Sequence, residues 1–118
     1  MIIEILRGNR RTTAWFQKQR SARIALRYSP VTRAEVRAGT RPKERAAISA
    51  LFESITVVPI DASTADLAGE QLARYSRTHN VQLGDALIAA GALEHGDELA
   101  TFNARHFPGI KKIVTPDR

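Results

Sequence analysis

The stretch LGDALIAAGALEHGDELATFN, from Leu83 to Asn103, decides how this sequence is interpreted. Residues 84–94 are predicted to form a helix that is apolar on nearly every side, and such a helix is expected to be buried. A strand is predicted to follow near ELATF. Asp85 stands at the start of this apolar helix, where burying a carboxylate without a partner is costly. The sequence therefore raises the question of what Asp85 binds.

Around this stretch the chain alternates helices and strands. Helices are predicted at IIEILRG, RTTAWFQKQRS, VTRAEVRAG, PKERAAISALFES and ADLAGEQLARYSRTH, the last capped by Ser63 or Thr64. Strands are predicted at residues 24–30, at residues 55–61 and near KIVT. Strands separated by helices are typical of an α/β fold with a largely parallel sheet. The length of 118 residues fits a single domain, residues 1–118.

The basic residues are concentrated in the first part of the chain. Residues 1–45 contain twelve Lys and Arg against three Glu, a balance of +9, whereas residues 46–118 carry −3. Such a basic region is a plausible surface for phosphates, and a solvated arginine-rich surface is the alternative.

The absence of cysteine excludes disulfides and thiolate zinc sites and fits a reducing cytoplasm. No apolar run is long enough to span a membrane.

Three polar residues are predicted to lie where strands end or helices begin. Glu35 follows the strand at 24–30, Asp85 begins the apolar helix, and Asn103 follows ELATF. Ligands of α/β sheets gather at the carboxyl ends of the strands. Because Mg²⁺ and Mn²⁺ prefer oxygen ligands, the three side chains are candidates for one divalent cation site.

Each of these residues also has a purely structural interpretation. Thr32-x-x-Glu35 has the spacing of a capping box, in which Glu35 reaches back to the first residue of its helix. Asp85 is equally interpreted as a helix cap, and Asn103 as a turn residue. His106 lies close to Asn103 in sequence and is interpreted as mainly structural. Both kinds of interpretation stay open on spacing alone.

Three segments together resemble PIN-domain ribonucleases, and more narrowly the VapC-type toxins of bacterial toxin–antitoxin pairs. They are SPVTRAEVRAG, VVPIDASTADLAGEQLA and VQLGDALIAAGALEHGDELATFNARHFPGI. The most specific parts are Thr32-x-x-Glu35, the run DALIAA that starts at Asp85, and LATFN with Thr101 and Asn103. The resemblance extends over about residues 2–116, nearly the whole chain.

The resemblance implies a three-layer α/β/α domain with a central, mostly parallel sheet and a site for Mg²⁺ or Mn²⁺. Glu35 matches the second acid of the family's set and Asp85 the third, and Asn103 falls where an Asp or Asn supports the metal. Thr32 and Thr101 are predicted to orient these ligands through outer hydrogen bonds, without contacting the metal themselves.

The sequence departs from this family at its beginning. Family members begin with a strand that ends in Leu-Asp-Thr or similar, and this Asp is the first metal ligand. Because IIEILRG resembles the helix after that strand, the first strand and the first Asp are predicted to be absent, and Glu4 is not assigned as a replacement. Either the natural start lies upstream of Met1, or the chain has lost its activity.

The resulting hypothesis is a metal-dependent endoribonuclease that acts in the cytoplasm as the toxin of a toxin–antitoxin pair. The resemblance implies a homodimer, an RNA substrate and a cognate antitoxin whose helix lies in an apolar groove. The residues predicted to line this groove are Ile2, Ile3, Leu6, Trp15 and Phe16. The alternative is a catalytically inactive PIN-like module that binds antitoxin or RNA without cleavage.

Overall fold

A single parallel sheet forms the centre of the molecule. The computed structural model describes residues 1–3 and 10–115. Within them the strands are β1 (Ile2–Ile3), β2 (Arg27–Tyr28), β3 (Thr56–Val57), β4 (Leu99–Ala100) and β5 (Ile113–Val114). Their order is β3-β2-β1-β4-β5, and every pairing is parallel. The carboxyl ends of all five strands therefore lie along the same edge of the sheet.

Helices connect the strands. They are α1 (Arg10–Ser21), α2 (Pro30–Gly39), α3 (Arg45–Glu53), α4 (Ala62–Tyr75) and α5 (Leu83–His95), with short 3-10 helices at Pro42–Glu44 and Ala104–His106. The predicted α/β class, the parallel sheet and the helix at residues 84–94 are confirmed. No helix in residues 1–3 and 10–115 combines the length and the apolar character needed to cross a bilayer.

Two neighbouring isoleucines divide the core between the faces of the sheet. Ile2 packs on one face with Ile88 of α5, and Ile3 packs on the other with Trp15 and Phe16 of α1. Both isoleucines are fully buried. Consecutive buried residues on opposite faces are the pattern of a central strand covered by helices on both sides. This arrangement accounts for the three layers.

The prediction that the first strand is absent is wrong, because Ile2–Ile3 occupy the central position between β2 and β4. The backbone N–H of Ile2 donates to the Glu98 carbonyl at 2.8 Å, and the Arg27 N–H donates to the Met1 carbonyl at 2.8 Å. The helix predicted at IIEILRG is therefore wrong for Ile2–Ile3. An apolar run is compatible with both structures, and β-branched side chains buried on both faces favour the strand. Residues 4–9 lie outside the described part.

The predicted antitoxin groove includes residues that belong to the core. Ile2 and Ile3 are completely buried, whereas Trp15 and Phe16 are 7% and 8% exposed. A partner helix cannot contact Ile2 or Ile3 unless the core opens, so the groove prediction is wrong for these two residues and stays a prediction for Trp15 and Phe16. Leu6 lies outside the described residues.

A polar cluster joins the first turn of α4 to the end of α5. Asp61, rather than the predicted Ser63 or Thr64, is the N-cap of α4, and its carboxylate accepts from the Thr64 backbone N–H at 3.1 Å. The Thr64 hydroxyl is buried, accepts from the Asp61 backbone N–H at 3.3 Å, and shares its one proton between the carboxylates of Asp61 and Glu94. The cluster fixes α4 against α5, and α5 carries the candidate site.

We expect Ile3→Ala to lower the free energy of unfolding by about 2–5 kcal/mol, because it removes a fully buried side chain from a central strand. Ile24→Ala is the matched control, since Ile24 is 40% exposed, and it should cost less than about 1 kcal/mol. Urea unfolding of the two variants measures the difference. Equal effects at the two positions would contradict the central placement of β1.

The Asp61 cap predicts a dependence of stability on pH. The Thr64 backbone N–H and the Ser63 and Thr64 hydroxyls hold the pKa of Asp61 below its ordinary value of 3.8. A lowered pKa stabilises the folded state above the ordinary value, and this contribution disappears as the pH falls through the folded-state pKa. We therefore expect the unsubstituted chain to be more stable than Asp61→Asn at neutral pH and to lose this advantage below 3.8. Urea unfolding across this range measures it, and a difference that does not change with pH would contradict the prediction.

Candidate functional site

Asp85 lies in the first turn of α5, at the carboxyl edge of the sheet. Because α5 leads into the amino end of β4, its own first turn lies at the opposite, carboxyl edge. Asp85 Oδ2 accepts from the backbone N–H of Gln82 at 3.1 Å, which confirms the capping interpretation. The Asp85 side chain is 21% exposed and can be reached from solvent. Capping therefore occupies one carboxylate oxygen and does not exclude a second role.

Glu35 reaches the same turn from the neighbouring helix. A Cβ placed on Gly84 would lie 3.2 Å from Glu35 Oε1 and 3.2 Å from Val31 Cγ1. The carboxylate of α2 therefore lies against the residue immediately before Asp85. A side chain at position 84 would crowd this approach, so the glycine allows Glu35 to lie against the first turn of α5.

The capping box predicted for Thr32 and Glu35 is wrong. Ser29 is the N-cap of α2, where its hydroxyl accepts from the Val31 N–H at 3.2 Å, and Pro30 is the first helical residue. The restricted backbone of proline suits this position, so the helix begins two residues before Thr32. Thr32 and Glu35 are instead one turn apart on the same face of α2.

Thr32 carries a buried hydroxyl that has no partner among the described residues. Its side chain is 3% exposed, and no group in residues 1–3 and 10–115 makes a hydrogen bond to its Oγ1. Buried hydroxyls are rarely left without a partner in native proteins. An unpaired hydroxyl on the face that carries Glu35 is consistent with a ligand or a bound water near this helix.

Thr101 and Asn103 form the turn that follows β4. Thr101 is fully buried, and its hydroxyl accepts from the Asn103 backbone N–H at 3.0 Å. The Asn103 carbonyl accepts from the His106 N–H at 2.9 Å within the short 3-10 helix, and the Asn103 side chain is exposed. Thr101 thus fixes the backbone that presents Asn103 at the carboxyl edge of β4.

His106 lies next to Asp85. Its Nδ1 is 3.4 Å from Asp85 Oδ2, and the pair joins the turn after β4 to the first turn of α5. The interpretation of His106 as mainly structural did not anticipate this contact. Two features of the sequence pointed to this region: His106 lies three residues after Asn103, and it precedes Phe107, which is buried in the core. Neither feature predicts that the partner of His106 is Asp85.

The donor chemistry of this edge fits a hard divalent cation. The Glu35 carboxylate lies against Gly84, Asp85 is the next residue, Asn103 follows β4, and the Thr32 hydroxyl lacks a partner in the described part. Oxygen donors of this kind suit Mg²⁺ and Mn²⁺. Residues 1–3 and 10–115 contain no group of three or more His, Cys, Asp or Glu side chains placed to hold a metal.

Arg33 places a fixed positive charge on the same helix. Its guanidinium donates to the Tyr28 hydroxyl at 2.9 Å and lies 5.3 Å from the centre of the Phe52 ring. These contacts hold the guanidinium in one place, and its remaining N–H groups can donate to a phosphate. Arg33 is two residues from Glu35, so α2 carries both an acidic ligand candidate and a cation.

The sequence of this chain matches a known family over nearly its whole length. The family described as PIN domain matches residues 1–113. Ribonuclease VapC10 of Mycobacterium tuberculosis (strain ATCC 25618 / H37Rv) is 40% identical over 92 residues, which span 77% of this chain and 69% of VapC10. Ribonuclease VapC19 of the same strain is 34% identical over 89 residues, which span 75% of this chain and 71% of VapC19.

Solved structures have the same fold. A toxin–antitoxin complex from Klebsiella pneumoniae contains a chain with a TM-score of 0.72 and 24% identity, covering 93% of this chain and 87% of that one. FitAcB from Neisseria gonorrhoeae gives a TM-score of 0.64 at 24% identity, with 98% of each chain covered. VapBC-1 from nontypeable Haemophilus influenzae gives 0.62 at 21% identity, covering 92% and 89%.

The order of the strands, the position of Glu35 against the residue before Asp85, and the sequence match lead to one assignment. The chain belongs to the PIN-domain family, in the group that contains the VapC ribonucleases.

Proposed function

We propose that this chain is a metal-dependent endoribonuclease that acts as the toxin of a toxin–antitoxin pair. The observation that carries the proposal is that Glu35 lies against Gly84, the neighbour of Asp85, at the carboxyl edge of the sheet in a chain of the VapC group. Ligand sites of parallel α/β sheets lie at this edge. Two partly accessible carboxylates there are suited to a cation and a phosphodiester.

Mg²⁺ or Mn²⁺ is the proposed cofactor, with Glu35, Asp85 and Asn103 as its ligands. When bound, the ion supplies a water of lowered pKa and neutralises the charge that builds up on the phosphate. Glu35 and Asp85 bring the negative charge that holds the cation, and Asn103 adds a neutral oxygen. Thr101 keeps the Asn103 backbone in place through the hydrogen bond at 3.0 Å.

RNA is the proposed substrate, and the charge distribution of the chain supports it. The net charge of +6 and the balance of +9 in residues 1–45 favour association with a polyanion. Arg33 is already held against Tyr28 and Phe52, so little side-chain entropy is lost when it contacts a phosphate. Cleavage should therefore weaken as salt is raised.

A cognate antitoxin is the proposed partner, because the chain of the same fold from Klebsiella pneumoniae is part of a toxin–antitoxin complex. An antitoxin arginine that reached Glu35 and Asp85 would compete with the cation. A homodimer and a cytoplasmic location are proposed from the family resemblance, and light scattering of the purified chain tests the first of these.

An inactive binding module is the second candidate function. The observation in its favour is that the described residues contain no group of three or more His, Cys, Asp or Glu side chains placed to hold a metal. Such a module would bind RNA or antitoxin without turnover. Metal-dependent cleavage separates the two candidates.

We expect Asp85→Asn to lower the rate of RNA cleavage by at least about 100-fold, the scale of losing one electrostatic contact to the transition state. The amide oxygen of asparagine can still accept from Gln82, so the fold should be retained. A mixed RNA pool with Mg²⁺ or Mn²⁺, and with a chelator in parallel, provides the measurement.

Asp66→Asn is the control for this test, because it removes the same charge from an exposed position in α4. It should cleave like the unsubstituted chain. Cleavage that survives both the chelator and Asp85→Asn would overturn the metal-dependent nuclease. Complete absence of cleavage by the unsubstituted chain would favour the inactive module.

We expect Gly84→Ala to reduce cleavage by about tenfold to 100-fold, since a Cβ 3.2 Å from Glu35 Oε1 displaces that carboxylate from its position near Asp85. Gly69→Ala is the matched control, because a Cβ there meets nothing within 4 Å in α4. The control should keep full activity and gain about 0.5–1 kcal/mol of stability. Equal activity of the two alanine variants would show that the approach of Glu35 is irrelevant to cleavage.

A further inference from the structure

The Asp85 carboxylate is oriented by two donors that contact the same oxygen. The Gln82 backbone N–H lies 3.1 Å from Oδ2, and His106 Nδ1 lies 3.4 Å from it. Asp85 Oδ1 makes no hydrogen bond or ion pair with any group in residues 1–3 and 10–115. The carboxylate therefore has one oxygen held by the protein and one oxygen available to a ligand.

A second donor besides the helix cap restricts the orientation of the Asp85 carboxylate further. The terminal torsion of an aspartate side chain is broad, so a single contact leaves the plane of the carboxylate free to turn over a wide range. Gln82 belongs to the same helix end as Asp85, and its contact is local. His106 approaches from another element and limits the rotation that the local contact allows.

The backbone around His106 is itself fixed. The His106 N–H donates to the Asn103 carbonyl at 2.9 Å, and the next residue, Phe107, is 2% exposed in the core that includes Ile88 of α5. Burial of Phe107 anchors the 3-10 helix Ala104–His106 against α5. The imidazole therefore stands on a rigid support, while its side chain is 31% exposed at the rim of the site.

We propose that His106 is a positioning residue, which holds Asp85 Oδ2 through Nδ1 so that Oδ1 faces the divalent cation. The inference rests on the proposed function, because it assigns a role in the same site. The contact needs a proton on Nδ1, which the imidazolium or one neutral tautomer carries. Outer hydrogen bonds to ligating carboxylates typically change metal affinity or activity by about 10–100-fold.

The contact also joins the two parts of the site. Asn103 and His106 are the first and last residues of one turn, linked by the hydrogen bond between Asn103 O and His106 N. A displacement of this turn would move Asn103 and release Asp85 together. His106 therefore sets the distance between the ligand candidate on α5 and the one that follows β4.

The test measures Mn²⁺ binding by the full chain, and electron paramagnetic resonance of the free ion monitors this binding. RNA cleavage is measured in parallel. We expect His106→Ala to weaken Mn²⁺ binding by about 10–100-fold. His106→Asn places an N–H donor at the position of Nδ1 and should bind Mn²⁺ nearly as well as the unsubstituted chain. Saturating Mn²⁺ should restore much of the cleavage lost in His106→Ala.

His95→Ala is the matched control. His95 is the last residue of α5, about 15 Å along the helix from Asp85 at 1.5 Å per residue, and its ring contacts the Gly91 carbonyl at 2.9 Å. This variant should bind Mn²⁺ like the unsubstituted chain. Thermal unfolding of all variants identifies any loss of affinity that comes from loss of fold.

Two results would overturn the positioning role while leaving the proposed function intact. One is unchanged Mn²⁺ affinity in a folded His106→Ala, in a preparation where Asp85→Asn abolishes binding. The other is an equal loss in His106→Ala and a folded His106→Asn, which would mean that the ring shape rather than the N–H donor matters. If the unsubstituted chain and Asp85→Asn bind Mn²⁺ equally, the proposed metal site fails, and the role of His106 fails with it.

Discussion

The pairing of β1 with both β2 and β4 is the contact on which the rest of the structure depends. Ile2 and Ile3 supply the backbone between the two halves of the sheet, and their side chains enter the two separate cores. Without this strand, β2 and β4 would each expose an unpaired edge, and unpaired backbone groups are costly to bury. The strand has only two residues, yet it pairs with both halves of the sheet and packs against the helices on both faces.

The orientation of α5 follows from this arrangement. Its apolar surface is buried against the sheet and against α4, so the helix lies in one position, with its first turn at the carboxyl edge. Asp85 is thereby brought to the side where α2 begins and β4 ends. A buried helix thus carries a partly exposed carboxylate at its end, where Gln82 and His106 compensate its charge in part. The cost of placing Asp85 there is reduced without removing its access to a ligand.

Two groups of residues carry opposite charge: the carboxylates at the carboxyl edge of the sheet are negative, and the Lys and Arg residues concentrated in the first 45 positions are positive. Glu35 and Asp85 carry negative charge at this edge, whereas Arg33, on the same helix as Glu35, carries a positive charge that Tyr28 and Phe52 hold in place. The two proposed ligands, a divalent cation and an RNA phosphodiester, are complementary to these charges.

The sequence by itself determined the α/β class, the buried helix at residues 84–94, and Glu35, Asp85 and Asn103 as the site candidates, because periodicity and strand–helix order are local properties. It misplaced the start of α2, the cap of α4 and the strand at Ile2–Ile3, since an apolar run fits a helix or a buried strand equally well. Only the tertiary structure decided that Ile2 and Ile3 are core, that Gly84 admits Glu35, and that His106 contacts Asp85. These contacts join residues distant in sequence, which only the packing of helices on the sheet brings together.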